Sequence, residues 1–268
     1  MKLKVLVDNN TYIDQYYCGE PAVSYYIEDE GIRLLFDLGY SELFIKNSKA
    51  LGIDLSDLDH IVISHGHDDH TGGLKHYFEE NNKDKITITA HPDAFNEKSL
   101  GNIKICSPIL KEDLKEKCNL NLSKEPVKLS ENITFLGEIP QMNSFESRKL
   151  IGKQVVDNEL IDDYVVDDSA IVYKNKKGIF IITGCSHSGI CNIIEYAKKV
   201  CKDDRVLGVI GGFHLFEVNE QVRNTIDYLN ENNINELYPC HCTSFEVRAE
   251  MYRSLPVKEV GVGLELIW

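Results

Sequence analysis

The sequence has no apolar stretch approaching the roughly 20 residues that a membrane-spanning helix needs, so no helical membrane span is expected. The N-terminal run Leu3-Lys4-Val5-Leu6-Val7 is too short for a signal-peptide core and soon turns polar. The expectation is therefore a soluble, cytoplasmic protein. Positive charge is scarce: 29 Lys and Arg stand against 43 Asp and Glu, a net charge of −14, with no Lys/Arg block. A protein that tracks phosphate backbones draws its affinity from a basic surface, so nucleic acid is a poor first guess for the partner. No membrane partner is expected either, and a small-molecule substrate is the expectation. No Cys-x-x-Cys pair occurs among the eight cysteines, and with no secretion signal a disulfide framework is not expected. Most of these cysteines read as small buried apolar residues. Cys185, Cys240 and Cys242 differ, since each lies within two residues of a histidine. No internal repeat of fixed short period is present.

What is there is a mixture of short strands and helices. Strands are expected at Lys2–Val7, Ala22–Ile27, Ile32–Phe36, Ile61–Ile63 and Ile86–Thr89, with a helix from Ser41 to Gly52 and another starting near Thr71. Residues 96–148 give only weak strands at Val127–Leu129 and Ile133–Leu136. Residues 141–166 read as a polar excursion, a lid over a site. A hairpin follows at Ala170–Tyr173 and Ile179–Ile182, then helices over 189–201, 219–231 and 244–253. Strands are expected at Val206–Ile210, around Leu237, and last at Val257–Val262. Such a mixture predicts sheets packed together with helices outside.

The chemistry concentrates in His65-Gly66-His67-Asp68-Asp69-His70, which follows the apolar strand at 61–63. Three histidines and an aspartate in so short a run are hard to explain by packing. On an extended segment His65 and His67 point the same way, because side chains alternate with period two, and they can grip one ion together. Asp69 and His70 then turn toward a second ion. Imidazole suits Zn, Fe or Mn, and a carboxylate adds charge neutralisation.

This run resembles the H-x-H-x-D-H signature of the metallo-β-lactamase superfamily. Leu35-Phe36-Asp37-Leu38-Gly39 is similar to that superfamily's first motif, whose aspartate supports the metal site. Thr183-Gly184-Cys185-Ser186-His187-Ser188-Gly189, Gly211-Gly212-Phe213-His214 and Pro239-Cys240-His241-Cys242-Thr243 resemble one branch. That branch is named for 7,8-dihydropterin-6-methyl-4-(β-D-ribofuranosyl)-aminobenzene-5′-phosphate synthase. The resemblance covers most of the chain, weakly over 97–165. It implies an α/β fold, the four-layer αββα sandwich, spanning 1–268 with a lid or insertion around 97–165.

The resemblance implies two divalent metal ions, with zinc expected and iron or manganese the alternatives. It implies His65, His67 and His187 on the first ion, and Asp69, His70 and His241 on the second. Cys185 stands where the superfamily usually has a bridging aspartate, and is either a ligand or a small buried residue beside the site. Asp37 would orient a histidine. Asp69 and His214 are the catalytic candidates, Asp69 to orient or deprotonate the attacking water and His214 to protonate a leaving oxygen. Asp68, His60, His76 and His91 are expected to take no part. Cys240 and Cys242 are expected to point away from whatever His241 faces. The implied activity is hydrolysis of an ester or phosphoester by a metal-activated hydroxide, or, by the name of the branch, a pterin-related transfer. Tyr164, Phe145 and Phe213 are available to stack a pterin, and Arg148, Lys149 and Lys153 to meet a phosphate. An iron redox protein is a third reading, although flavodiiron proteins of this fold carry Glu where His67 stands. A non-catalytic metal-binding module is a fourth. Leu215, Val218 and Phe213 serve equally as core or interface, leaving the oligomeric state open.

Overall fold

The computed structural model describes residues 1–81 and 86–268. Its first half runs β1 (Lys2–Val7), β2 (Ser24–Asp29), β3 (Ile32–Phe36), α1 (Leu43–Ala50), β4 (His60–Val62), α2 (Asp68–Thr71), α3 (Leu74–Glu80) and β5 (Thr87–Ala90). There follow β6 (Lys98–Leu100), β7 (Ile103–Lys104), α4 (Lys111–Lys117), β8 (Asn119–Leu122), β9 (Val127–Lys128), β10 (Ile133–Phe135), β11 (Gly152–Val156) and β12 (Glu159–Asp163). The second half holds β13 (Ala170–Asn175), β14 (Gly178–Thr183), α5 (Ile190–Cys201), β15 (Val206–Gly212), α6 (Glu220–Glu231), β16 (Glu236–Cys240), α7 (Phe245–Tyr252) and β17 (Glu265–Ile267).

Two sheets form the body, a seven-stranded one in the order β17-β1-β2-β3-β4-β5-β8 and a six-stranded one in the order β16-β15-β14-β13-β10-β9. The period-two alternation of their strands sorts side chains into layers. Leu34 and Phe36 of β3 join Ile171, Tyr173, Phe180 and Ile182 of β13 and β14 in one buried cluster between the sheets. Leu35, one residue over, packs outward with Phe44 of α1 and with Leu74 and Tyr77 of α3. Likewise Val172, Ile179 and Ile181 pack outward against Ile193 and Ala197 of α5, Val222 of α6 and Met251 of α7. Helices, sheet, sheet and helices therefore lie in four layers, as the resemblance implies.

Differences from expectation fall where the apolar pattern is thin. Within the polar excursion of residues 141–166, β11 and β12 pair and join β6 and β7 in a separate four-stranded sheet, order β12-β11-β6-β7. Its strands read polar because most of their residues face solvent. Before it, Glu146 is buried, its carboxylate accepting the amides of Cys191 and Asn192 at the start of α5. The last strand is Glu265–Ile267, paired with β1, whereas 257–262 makes only isolated bridges through Val257 and Val262. The helix expected near Thr71 starts earlier, at Asp68. Phe213 and Leu215 belong to the buried cluster under α5 to α7, and Val218, half-buried, packs against it.

Candidate metal centre

The site is assembled at the C-terminal ends of β3, β4, β14, β15 and β16, which run parallel in two groups. Four loops leave these ends through a left-handed residue: Asp37 (φ 56°), Ser186 (57°), His214 (51°) and His241 (48°). Non-glycine residues reach that region only where surrounding structure holds them, and such positions gather at functional sites. Close backbone approach adds to this. A Cβ on Gly66 would lie 1.9 Å from the Ala94 carbonyl oxygen, and one on Gly184 2.2 Å from Ser64 Oγ.

The His65–His70 run divides between two sides of the site. His67 is the last extended residue, and Asp68 begins α2. His65 Nε2 and His67 Nδ1 lie 3.1 Å apart. Asp69 and His70, on the helical side, face His241: Asp69 Oδ2 is 3.1 Å from His241 Nε2 and 3.3 Å from His70 Nε2. Cys185 Sγ lies 3.2 Å from Nε2 of both His70 and His241. Donor atoms fall into three overlapping groups, each within 4.8 Å: Asp69, His70, Cys185 and His241; His65, Cys185 and His187; His65, His67 and Asp69. Cys185 and Asp69 thus link a histidine trio on one side to a histidine pair on the other.

These residues fit a divalent cation pair. Nε2 of His67 and of His187 are buried, with no hydrogen-bond partner among the described residues. A buried nitrogen left so costs about 1–3 kcal/mol, a cost that coordination of the cluster removes. Burial, with the neighbouring histidines, holds His65 and His187 well below the usual imidazole range, as neutral ligands require. Burial also pushes His70 down, but the carboxylates of Asp69 and Asp37 outweigh it and hold it well above that range. Asp69 is the reverse: burial raises it, and His70 and His241 bring it well below the carboxylate range. The carboxylates thus draw positive charge into the cluster, which is the demand a divalent cation meets.

Each ligand candidate is held from behind. Asp37 Oδ2 accepts from His70 Nδ1 at 2.7 Å, and the same carboxylate takes the Ser64 amide and hydroxyl. Asn9 Oδ1 lies 3.1 Å from His241 Nδ1, and Asp8 accepts the His241 amide. Asp167 Oδ2 accepts the Gly66 amide at 2.8 Å while Oδ1 takes Lys98 Nζ at 2.7 Å. Asp168 holds the Ser188 amide and hydroxyl, next to His187. Sequence reasoning missed Asp8, Asn9, Lys98, Asp167 and Asp168. The signals were an Asp-Asn-Asn run closing β1 and an Asp-Asp pair opening an apolar strand.

Other candidates sort plainly. His214 does not join the donor groups; its ring centroid lies 4.1 Å from that of His187, and burial, then the nearby His67, pushes it down to about 4. Cys240 turns into the core, 3.2 Å from the Tyr25 hydroxyl. Cys242 departs from expectation. The left-handed His241 breaks the extended chain, so Cys242 faces the cavity beside Cys185 instead of pointing away. His91 is buried against Glu138, and His76 sits on the surface between Glu42 and Glu79. Phe213 is core and Phe145 packs on it, whereas Phe216 and Phe245 line the cavity. Arg148 spends its guanidinium on main-chain carbonyls and Ser188, and Lys153 pairs with Asp162.

The cavity in front of the cluster encloses about 580 Å³, and His67, Asp69, Cys185, His187, His214 and His241 all line it. Among the described residues no helix is long and apolar enough to cross a membrane.

Comparison with known proteins gives a family. Residues 19–198 match the model of the metallo-β-lactamase superfamily. That stretch includes His65 to His187 and ends before His214 and His241. The chain is 36% identical to an uncharacterized protein of Methanocaldococcus jannaschii over 251 residues, 93% of each chain. It is 34% identical over 262 residues to the same organism's 7,8-dihydropterin-6-methyl-4-(β-D-ribofuranosyl)-aminobenzene-5′-phosphate synthase, covering 92% of this chain and 88% of that one. Among solved structures, Tm1679, a metal-dependent hydrolase of the β-lactamase superfamily, superimposes with a TM-score of 0.85 at 26% identity. That superposition covers 100% of this chain and 99% of Tm1679. The metallo-β-lactamase fold protein YhfI from Bacillus subtilis matches with a TM-score of 0.58 at 13% identity over 99% of both chains, a likeness of fold alone.

Proposed function

The chain belongs to the metallo-β-lactamase superfamily, and from that premise we propose that it is a dinuclear metal-dependent hydrolase of small-molecule esters, phosphoesters included. One observation carries the reading: Cys185 belongs to two donor groups, one with His65 and His187 and one with Asp69, His70 and His241. A group shared in this way suits two ions held side by side. Mixed imidazole, thiolate and carboxylate donors favour zinc, with iron or manganese the alternatives. Divalent ions bound there would supply Lewis-acid polarisation of an ester and a lowered pKa for water.

The chain's own residues do the rest. His65, His67 and His187 would hold one ion, and Asp69, His70 and His241 the other, and Cys185 could serve either set. The free oxygen of Asp69 orients the attacking water and accepts its proton. His214, on the cavity wall beside His187 and held neutral by burial, offers its ring N–H as a hydrogen bond to the leaving oxygen, which takes up the proton that Asp69 accepted. Phe216 and Phe245 give the cavity apolar faces for the organic part of the substrate.

A second reading is synthesis of the pterin compound named for the 34% identical relative, which the coverage of both chains favours. Elemental analysis decides the shared premise. About two equivalents of metal per chain are expected, lost in the His65→Ala, His67→Ala double variant. Less than one equivalent after reconstitution overturns the dinuclear reading. With metal bound, turnover of p-nitrophenyl esters and phosphoesters supports hydrolysis. Formation of the pterin compound with no ester turnover would move the second reading to the front.

A further inference from the structure

Arg248 sits on α7, one turn after Ser244, which caps that helix by accepting the Val247 amide. Of the five other arginines, four have their guanidinium groups occupied, Arg33 by Asp57, Arg205 by Asp203, Arg253 by Glu250, and Arg148 by carbonyl oxygens and Ser188, while Arg223 is exposed to solvent on α6. Arg248 has no such partner among the described residues, and its Nε is buried with nothing to donate to. A buried, unpaired guanidinium nitrogen is costly, and an acidic chain of net charge −14 offers many carboxylates that could have met it. Instead the side chain stands at the junction of two hollows. It lines the cavity that holds Asp69, His187 and His241. It also lines a neighbouring groove of about 580 Å³, walled by Phe245 and Tyr252, whose rings are 80% and 70% exposed.

We propose that Arg248 binds an oxyanion of the substrate, a phosphate or a carboxylate, and so selects anionic organic substrates whose flat or apolar part rests on the exposed rings of α7. The guanidinium fork matches both anions in two parallel hydrogen bonds. The anion is a handle and not the reacting group, since Arg248 lines the cavity without joining any of the donor groups. This inference deepens the hydrolase reading and rests on the cavity being the substrate site.

The test titrates inorganic phosphate and acetate separately into wild type, Arg248→Gln, Arg248→Lys and Arg253→Gln, each with and without added zinc, following the heat of binding. Thermal melts check that every variant is folded. Arg248→Gln should weaken at least one of the two anions by about tenfold or more, the loss of charge-assisted hydrogen bonds. Arg248→Lys should restore part of this, and Arg253→Gln should match wild type. Equal affinities of wild type and Arg248→Gln for both anions overturn the proposal. The ratio of wild type to variant is read with and without zinc. A chain that binds no metal therefore overturns the hydrolase reading while leaving this comparison intact.

Discussion

Asp37 Oδ2 lies 2.7 Å from Nδ1 of His70, and both side chains are shut off from solvent. The contact leaves His70 Nε2 turned toward Cys185 and Asp69. Asp37 is itself in a left-handed conformation, which Asp and Asn tolerate better than most residues. Asp37→Asn therefore keeps the backbone but removes the charge and turns one acceptor oxygen into an NH2 donor, so the side chain no longer accepts from both Ser64 and His70 as the carboxylate does. Support of this kind is worth about 10–100-fold in metal affinity. A drop in that range is expected for Asp37→Asn in chelator competition. Unchanged affinity would show that Ser64 and the loop position His70 unaided.

Cys185 makes a sharper prediction, because it touches both donor sets. Cys185→Ala should lower metal content from about two equivalents toward one, since the shared donor is gone. Cys185→Asp restores an anionic donor of reach similar to the thiolate and should recover the second equivalent at least in part. Elemental analysis of the two variants reads this directly. Two full equivalents in Cys185→Ala would reduce the cysteine to a small residue packed beside the site.

How much of this was legible in the sequence depends on which physical rule governs each segment. Leu34-Leu35-Phe36 and Ile179-Phe180-Ile181-Ile182 announce strands because apolar faces on both sides leave little else for them to be. The sheet of β6, β7, β11 and β12 was hidden because Glu159-Leu160-Ile161-Asp162 is mostly exposed and obeys no burial pattern. At the site, the His65–His70 run was legible from chemistry alone, since ligands close in sequence reveal themselves. Lys98 and Asp167 were not: 69 residues separate them, and only folding makes them a pair. Cys242 was misjudged for a local reason, the positive φ of His241, which no alternation rule anticipates.

His214 separates binding from chemistry. It lines the cavity and lies against His187, yet it stands outside every donor group. His214→Ala should leave metal content at the wild-type level and lower kcat about 10²–10³-fold, the usual range for removing a positioned hydrogen-bond donor. A rise in KM with unchanged kcat would make it a substrate contact instead. Loss of metal would mean that it supports His187.

The last prediction concerns Lys98, a fully buried ammonium held by Asp167 at 2.7 Å and Asp163 at 3.1 Å. Asp167 in turn holds the Gly66 amide, so the pair ties the small sheet to the metal-binding run. Burial opposes both charges. The attraction of Lys98 nevertheless brings Asp167 below the usual carboxylate range, and Asp167 with Asp163 brings Lys98 above the usual amine range. The signs follow from linkage. Asp167 contributes stability above the unfolded carboxylate pKa of about 4, lost as pH falls through its lower folded value. Lys98 contributes stability below about 10.4, lost as pH rises through its higher folded value. Between these limits the pair is at full strength. Lys98→Met strands two buried carboxylates and should cost about 3–5 kcal/mol in urea denaturation at pH 7. Without the ammonium, the buried Asp167 is relieved by protonation, so the variant's deficit should shrink from pH 7 to pH 5. Lys98→Met with Asp167→Asn should recover part of the loss at pH 7. A deficit that stays constant with pH would mean that Lys98 stabilises through the packing of its methylene stem and not through its charge.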